Sequence, residues 1–102
     1  MELTVVERLV LLGLLPSEGD LTTLRIVREL REALSFDEEE HERLQFKHEE
    51  GRVAWRNDDS AKAINLGAKA TRLIVERLEA LDAVGKLTEQ HLTLCDKFAI
   101  GG

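Results

Sequence analysis

Cysteine occurs once in 102 residues, at position 95, so the chain cannot close an internal disulfide and must hold itself together by packing. A lone thiol also makes a reducing compartment, the cytoplasm, the default location. Long apolar runs are missing: nothing reaches the roughly 18 residues of a membrane-spanning helix. The greasiest stretch, Leu9 to Leu15, has Glu2 and Glu7 upstream, no basic leader and no small-residue cleavage site after it, so neither a membrane span nor a secretory signal is expected. Positive charge is in deficit as well. A net charge of -6 argues against nucleic acid as a partner, because phosphate binding needs Lys and Arg gathered on one face.

Ready-made chemistry is scarce. The glycines are scattered singly and build no phosphate-cradling loop. His41, His48, His91 and Cys95 are of ligand types that zinc accepts, and His91 and Cys95 share a helix face, yet nothing resembles a paired knuckle. Glu38 and His41 have the spacing of half a di-iron motif, for which the chain holds no second copy. Cys95 has His91 one turn away but sits among Leu92, Leu94 and Phe98 on a helix interior that offers no free N–H groups as an oxyanion hole. No catalytic residue, metal site or cofactor is therefore expected, and the chain reads as a non-enzyme.

What is present is the make-up of a folded globule, 43% hydrophobic and 33% charged. Residues 1–102 read as a single domain: helices plus a hairpin over 1–56, then a helical oligomerisation region over 60–98. A first helix over about Leu3 to Leu14 is apolar nearly all round, and Pro16 stops it. Asp20 or Thr22 caps a second, over Leu21 to Leu34, whose Arg25/Glu29 and Arg28/Glu32 pairs face water. Ser35 and Glu38 have capping-box spacing for a short third helix over Asp37 to Arg43, with an acidic first turn. From Leu44 the period becomes two, giving a hairpin about Gly51 whose Leu44, Phe46, Val53 and Trp55 should face the core.

After a polar link at Asn57, Asp58 and Asp59, periodicity predicts a long helix from Ser60 to Val84 ended by Gly85, then a last helix from Thr88 to Phe98. The fold class is mainly α with one β-hairpin (α+β). The order helix, helix, short helix, hairpin, long helix, helix also fits a degenerate winged helix with a C-terminal dimerisation helix, although its third helix is too acidic to enter a major groove.

The long helix carries the strongest functional signal. Ala63, Ile64, Leu66, Ala70, Thr71, Leu73, Ile74, Val75, Leu78 and Leu81 cover more than half of its circumference, wider than the roughly 100° stripe of a surface helix. A chain this short has few elements with which to cover two sides, so Leu66, Leu73, Ile74, Leu78 and Leu81 are the expected interface of a homo-oligomer. Arg77 lies within that arc, and its guanidinium must reach the rim, an acid or an anionic ligand. Lys62, Asn65, Lys69 and Arg72 gather opposite, diluted by Glu76 and Glu79. Trp55 beside Arg52 and Arg56 is first a packing residue, with an edge that could also stack.

Read along its length, the chain resembles a family of short, mostly uncharacterised proteins of tailed bacteriophages and prophages. The residues that carry the likeness are Glu7-Arg8-Leu9, Leu14-Leu15-Pro16-Ser17-Glu18-Gly19, Thr22-Thr23-Leu24-Arg25-Ile26-Val27-Arg28, Leu34-Ser35-Phe36 and Gly85-Lys86-Leu87-Thr88-Glu89-Gln90-His91. The resemblance implies a phage origin and a host-cytoplasm setting, and transfers no functional residue. The function expected is a homo-oligomeric binding protein that neutralises a host defence. It would do so by binding a host protein or by sequestering a small signalling nucleotide, for which Arg77, Arg72, Lys69, Arg56 and Trp55 are the candidate ligand residues. A virion or assembly component and a winged-helix regulator are the alternatives.

Overall fold

The computed structural model describes residues 1–55 and 61–100. The chain is mainly helical, with two short antiparallel strand pairs. In order it forms β1 (Glu2–Thr4), α1 (Val5–Leu14), α2 (Leu21–Leu34), α3 (Glu38–Leu44), β2 (Lys47–Glu49), β3 (Arg52–Ala54), β4 (Ala61–Ala63), α4 (Ala68–Ala83) and α5 (Leu92–Lys97), the last entered through a 3-10 turn at Glu89–His91.

Local chemistry sets most boundaries. Thr4 opens α1 by a capping box: its hydroxyl accepts from Glu7 N at 3.2 Å, and the Glu7 carboxylate accepts from Thr4 N at 3.0 Å. Asp20 caps α2 by accepting from Thr23 N at 2.7 Å, and those hydrogen bonds lower its carboxyl pKa. A second capping box starts α3, with Asp37 and Glu40 as the reciprocal pair in place of the Ser35 and Glu38 expected from spacing. Ser35 instead closes α2, its N–H donating to Arg31 O at 2.9 Å. The β2–β3 hairpin turns at Glu50 (φ 48°) and Gly51 (φ 74°), two successive left-handed residues that match the twist of the strands they join.

The long helix is the main correction. Residues 61–63 are a strand, and α4 begins at Ala68 behind Gly67. Thr4 lies opposite Ala61 and Glu2 opposite Ala63, while Ile64 N donates to Met1 O at 2.8 Å. Pairing with the N-terminal strand satisfies the backbone groups along the inner edge of these residues. Continuing the helix would carry Gly67 in its interior at a cost of about 1 kcal/mol relative to Ala. Ala63, Ile64 and Leu66 therefore never join the face of α4, and Lys62 and Asn65 do not line up with Lys69 and Arg72. The same pairing shortens the first helix, whose expected start at Leu3 is a strand residue. The Asn57 to Ser60 link, the Val53 side chain and the terminal Gly101-Gly102 lie outside the described residues.

One core gathers both halves of the chain: Leu3, Leu11, Leu14 and Leu15 from the start, Val27, Leu30 and Leu34 from α2, Ile64, Ile74 and Leu78, and Leu94 and Cys95 from α5 with Phe98 just after it. Around the hairpin root Leu44 is fully buried and Phe46 and Trp55 are half-buried. Aromatic edges tie this region together, with ring centroids 4.9 Å apart for Phe36 and Phe46 and 6.3 Å for Phe46 and Trp55. The hairpin stands as its own two-stranded sheet. The strand that precedes α1 pairs with β4 instead, and residues 15–20 between α1 and α2 contain no strand.

Candidate functional site

Two buried polar clusters and one apolar strip are the arrangements to weigh. In the first, Arg8 rises from the buried side of α1 and is itself 1% exposed. Its Nη1 donates to Glu40 Oε2, its Nη2 to Ser35 O at 2.6 Å and to Glu40 Oε1 at 3.3 Å, and its Nε to Leu34 O at 3.2 Å. The guanidinium also lies 3.9 Å from the centre of the Phe36 ring. One cation thus closes the carboxyl end of α2 and holds the first turn of α3. The Arg8 hydrogen bonds are the largest influence on Glu40; they outweigh its burial and, with the Asp37 N–H and Lys62, bring its carboxyl from 4.5 down to about 2. An open cleft of about 430 Å³ lies beside this clamp, lined by Asp37, Glu39, Arg43 and Lys62 among others.

In the second, Glu7 is 2% exposed and accepts from Lys97 Nζ at 2.6 Å, while the same Lys97 donates to Glu2 O at 2.7 Å. Burial alone would raise the Glu7 carboxyl, but Lys97, the Thr4 N–H and Thr93 together win and lower it. Glu7 Oε2 has no partner of good geometry, and the Thr93 hydroxyl is the polar group placed to turn towards it.

The third is the outer side of α1. At about 100° per residue Val5, Glu7, Arg8, Leu11 and Leu14 point inward, and all are buried. The opposite arc consists of Val6, Leu9, Val10 and Gly13, without one polar group. Val6 is 36% exposed, Leu9 and Val10 are half-buried, and a Cβ built on Gly13 would meet nothing within 4 Å. Trp55 and Gln90 flank this strip and line a shallow groove of about 320 Å³ with Val6, Leu9 and Val10. A second cavity of about 370 Å³ continues past Val6 and Gln90 to Glu7, Thr93 and Lys97.

The residues singled out from the sequence do not converge. Arg77 is exposed on α4, but its Nε donates to Leu14 O at 3.0 Å, so it closes the carboxyl end of α1. Arg72 points to solvent with Glu76 at 4.0 Å, and Lys69 is exposed. Trp55 lies on the α1 groove, whose described lining contains none of these cations. Arg56 lies outside the described residues. Of the expected interface, Ile74 at 1% and Leu78 at 0% exposure belong to the protomer's own core and are not available to a partner; Leu66, Leu73 and Leu81 are half-buried against it. With α4 shortened to 16 residues, both α1 and α2 pack on it, burying Ile74 and Leu78 and half-burying Ala70, Leu73, Val75 and Leu81.

Cys95 is buried, and burial, followed by Asp82 and Asp96, pushes its thiol up in pKa. His91 Nδ1 accepts from Thr88 N at 2.9 Å and so shapes the turn before α5. Among the described residues no three His, Cys, Asp or Glu side chains cluster as metal ligands, and no helix is long and apolar enough to cross a membrane.

The Arg8 clamp and the bare arc of α1 escaped the sequence reading. Their signal was present, as one arginine inside an apolar helix and as a helix apolar on both sides. The sequence alone could not say which side the core would take. Comparison with known family models, curated proteins and solved structures finds no match for this chain.

Proposed function

We propose that this chain is a non-enzymatic binding protein that works as a homo-oligomer, with a basic protein surface as its target. The observation that carries the oligomer is the amount of surface the protomer leaves in water. Its accessible area is 7152 Å² at a mass of 11.5 kDa, whereas a folded monomer of that mass exposes roughly 5,800 Å². The radius of gyration, 14.0 Å, points the same way, since about 13 Å is usual for this length. The surplus of roughly 1,300 Å² exceeds the about 800 Å² that each partner gives to an interface of ordinary size.

Two further observations support a binding role. The buried or hydrogen-bonded groups that could serve a reaction are committed to the fold: Glu40 to Arg8, Glu7 to Lys97 and Thr4, His91 to Thr88. The exposed side of α3 presents Glu38, Glu39 and Glu42 on a chain of net charge -6, which steers towards a basic partner. The dispersal of Arg77, Arg72 and Trp55 favours a protein over a nucleotide as the target. The resemblance to phage proteins supports the host cytoplasm as the setting and a host defence component as the protein engaged.

Native mass measurement tests the oligomer, with a species at an integer multiple of 11.5 kDa expected at micromolar concentration. A monomer throughout would overturn it. A panel of cyclic nucleotides should leave the melting temperature unchanged, and a dose-dependent rise with one of them would replace the protein target by a nucleotide.

A further inference from the structure

We propose that the outer arc of α1 is where two copies of this chain meet, with the two α1 helices antiparallel about a two-fold axis between Leu9 and Val10. The proposal rests on the homo-oligomer reading and names the surface that forms it.

Val6, Leu9, Val10 and Gly13, at i, i+3, i+4 and i+7, form the outer arc of α1: Val6 and Gly13 are exposed, and Leu9 and Val10 are half-buried, Val10 resting in part on the core. Gly13 is the informative member. It is the penultimate residue of α1, still helical, where glycine is less favourable than alanine. A side chain there would meet open space, so nothing within the protomer asks for its absence. Its backbone is helical and its φ is not positive, so no turn asks for it either. What remains is close approach from outside the protomer.

An antiparallel partner supplies it. A two-fold axis between residues 9 and 10 sets Leu9 against Val10 of the other copy and Val6 against Gly13. The projecting Val6 fills the space that the missing Cβ leaves, twice per dimer. The contact is isologous, so it closes on itself and leaves no complementary patch to propagate a fibre. Trp55 flanks the same strip in each protomer, adding aromatic area at the edge, and the chain as a whole exposes more surface than a monomer of its mass.

The test uses sedimentation of the full chain across a dilution series. The wild type should be dimeric at tens of micromolar. Val6→Asp, which changes an exposed side chain, should be monomeric with unaltered far-UV circular dichroism. Gly13→Ala should move the two properties in opposite directions. It should weaken the dimer by tenfold or more, yet in the Val6→Asp background it should raise the melting temperature of the monomer by about 2–6 °C, as alanine stiffens a helix. A wild type that is oligomeric and stays so in both variants would overturn this interface while leaving the oligomer intact. A wild type that is monomeric at every concentration overturns both readings.

Discussion

Replacing Arg8 by methionine keeps the packing of its stem and deletes the guanidinium, and the structure sets the size of the effect. Glu40 would remain buried with only half-exposed Lys62 at 3.4 Å and the Asp37 N–H as partners, and the carbonyls of Leu34 and Ser35 would each lose a donor. Removing one side of a buried ion pair costs about 3–5 kcal/mol. The fall of the Glu40 carboxyl from 4.5 to about 2, to which Arg8 contributes most and the Asp37 N–H and Lys62 add, corresponds to roughly 3 kcal/mol near neutral pH, the same order. Against a total stability of about 5–15 kcal/mol, that is a large share.

The sign with pH follows from the same shift. The folded value lies below the unfolded one, so the contribution is complete above about 4.5 and drains away as pH falls towards 2. Urea unfolding followed by circular dichroism should therefore show Arg8→Met losing about 3–5 kcal/mol at pH 7 and much less at pH 3. Glu40→Leu should be comparably damaging, and the double variant should cost clearly less than the two losses added together. A loss under about 1 kcal/mol for Arg8→Met, or strict additivity, would refute the clamp.

Other substitutions separate structural cations from solvated ones. Arg77→Ala removes the bond to Leu14 O and should cost about 1 kcal/mol in thermal or urea denaturation, whereas Arg72→Ala, at an exposed pair 4.0 Å long, should change stability by less than about 0.5 kcal/mol. Gly85 has φ 67° beyond the end of α4, so Gly85→Ala should destabilise by about 1 kcal/mol and Gly85→Asn by less, measured by the same unfolding curves. Cys95 should react with iodoacetamide at pH 8 far more slowly in the native protein than in urea, because burial, Asp82 and Asp96 all disfavour its thiolate. Equal rates would place the thiol on the surface.

Much of the architecture was legible because it depends on short-range rules. The 3.6-residue pattern located α2, with Asp20 or Thr22 as its cap and Asp20 the one used, and the change to a period of two, with Gly51, located the hairpin, although Leu44, where that period starts, is the last residue of α3. The pattern puts Arg77 in an apolar arc with the rim, an acid or an anionic ligand as its destinations, whereas it donates to a backbone carbonyl 63 residues away, which tertiary geometry alone supplies. Trp55 was read as a packing residue with a free edge, and it packs on Phe46 while lining the groove on α1.

Sequence by itself thus determined helix against hairpin, the acidic exterior and the number of α-helices, since each follows from neighbours within a few positions. Only the tertiary structure decided where the fourth helix starts, because Ala61 to Ala63 can satisfy their backbone groups either within a helix or across to Glu2, Leu3 and Thr4, and local periodicity does not distinguish the two. It also decided which apolar surface stays in water. α1 and α4 both carry more than one face's worth of hydrophobic residues, and the protomer's core took Ile74 and Leu78 from α4 while leaving Val6 and Gly13 of α1 outside. That choice belongs to packing among distant segments, where a single helix read alone has no preferred inside.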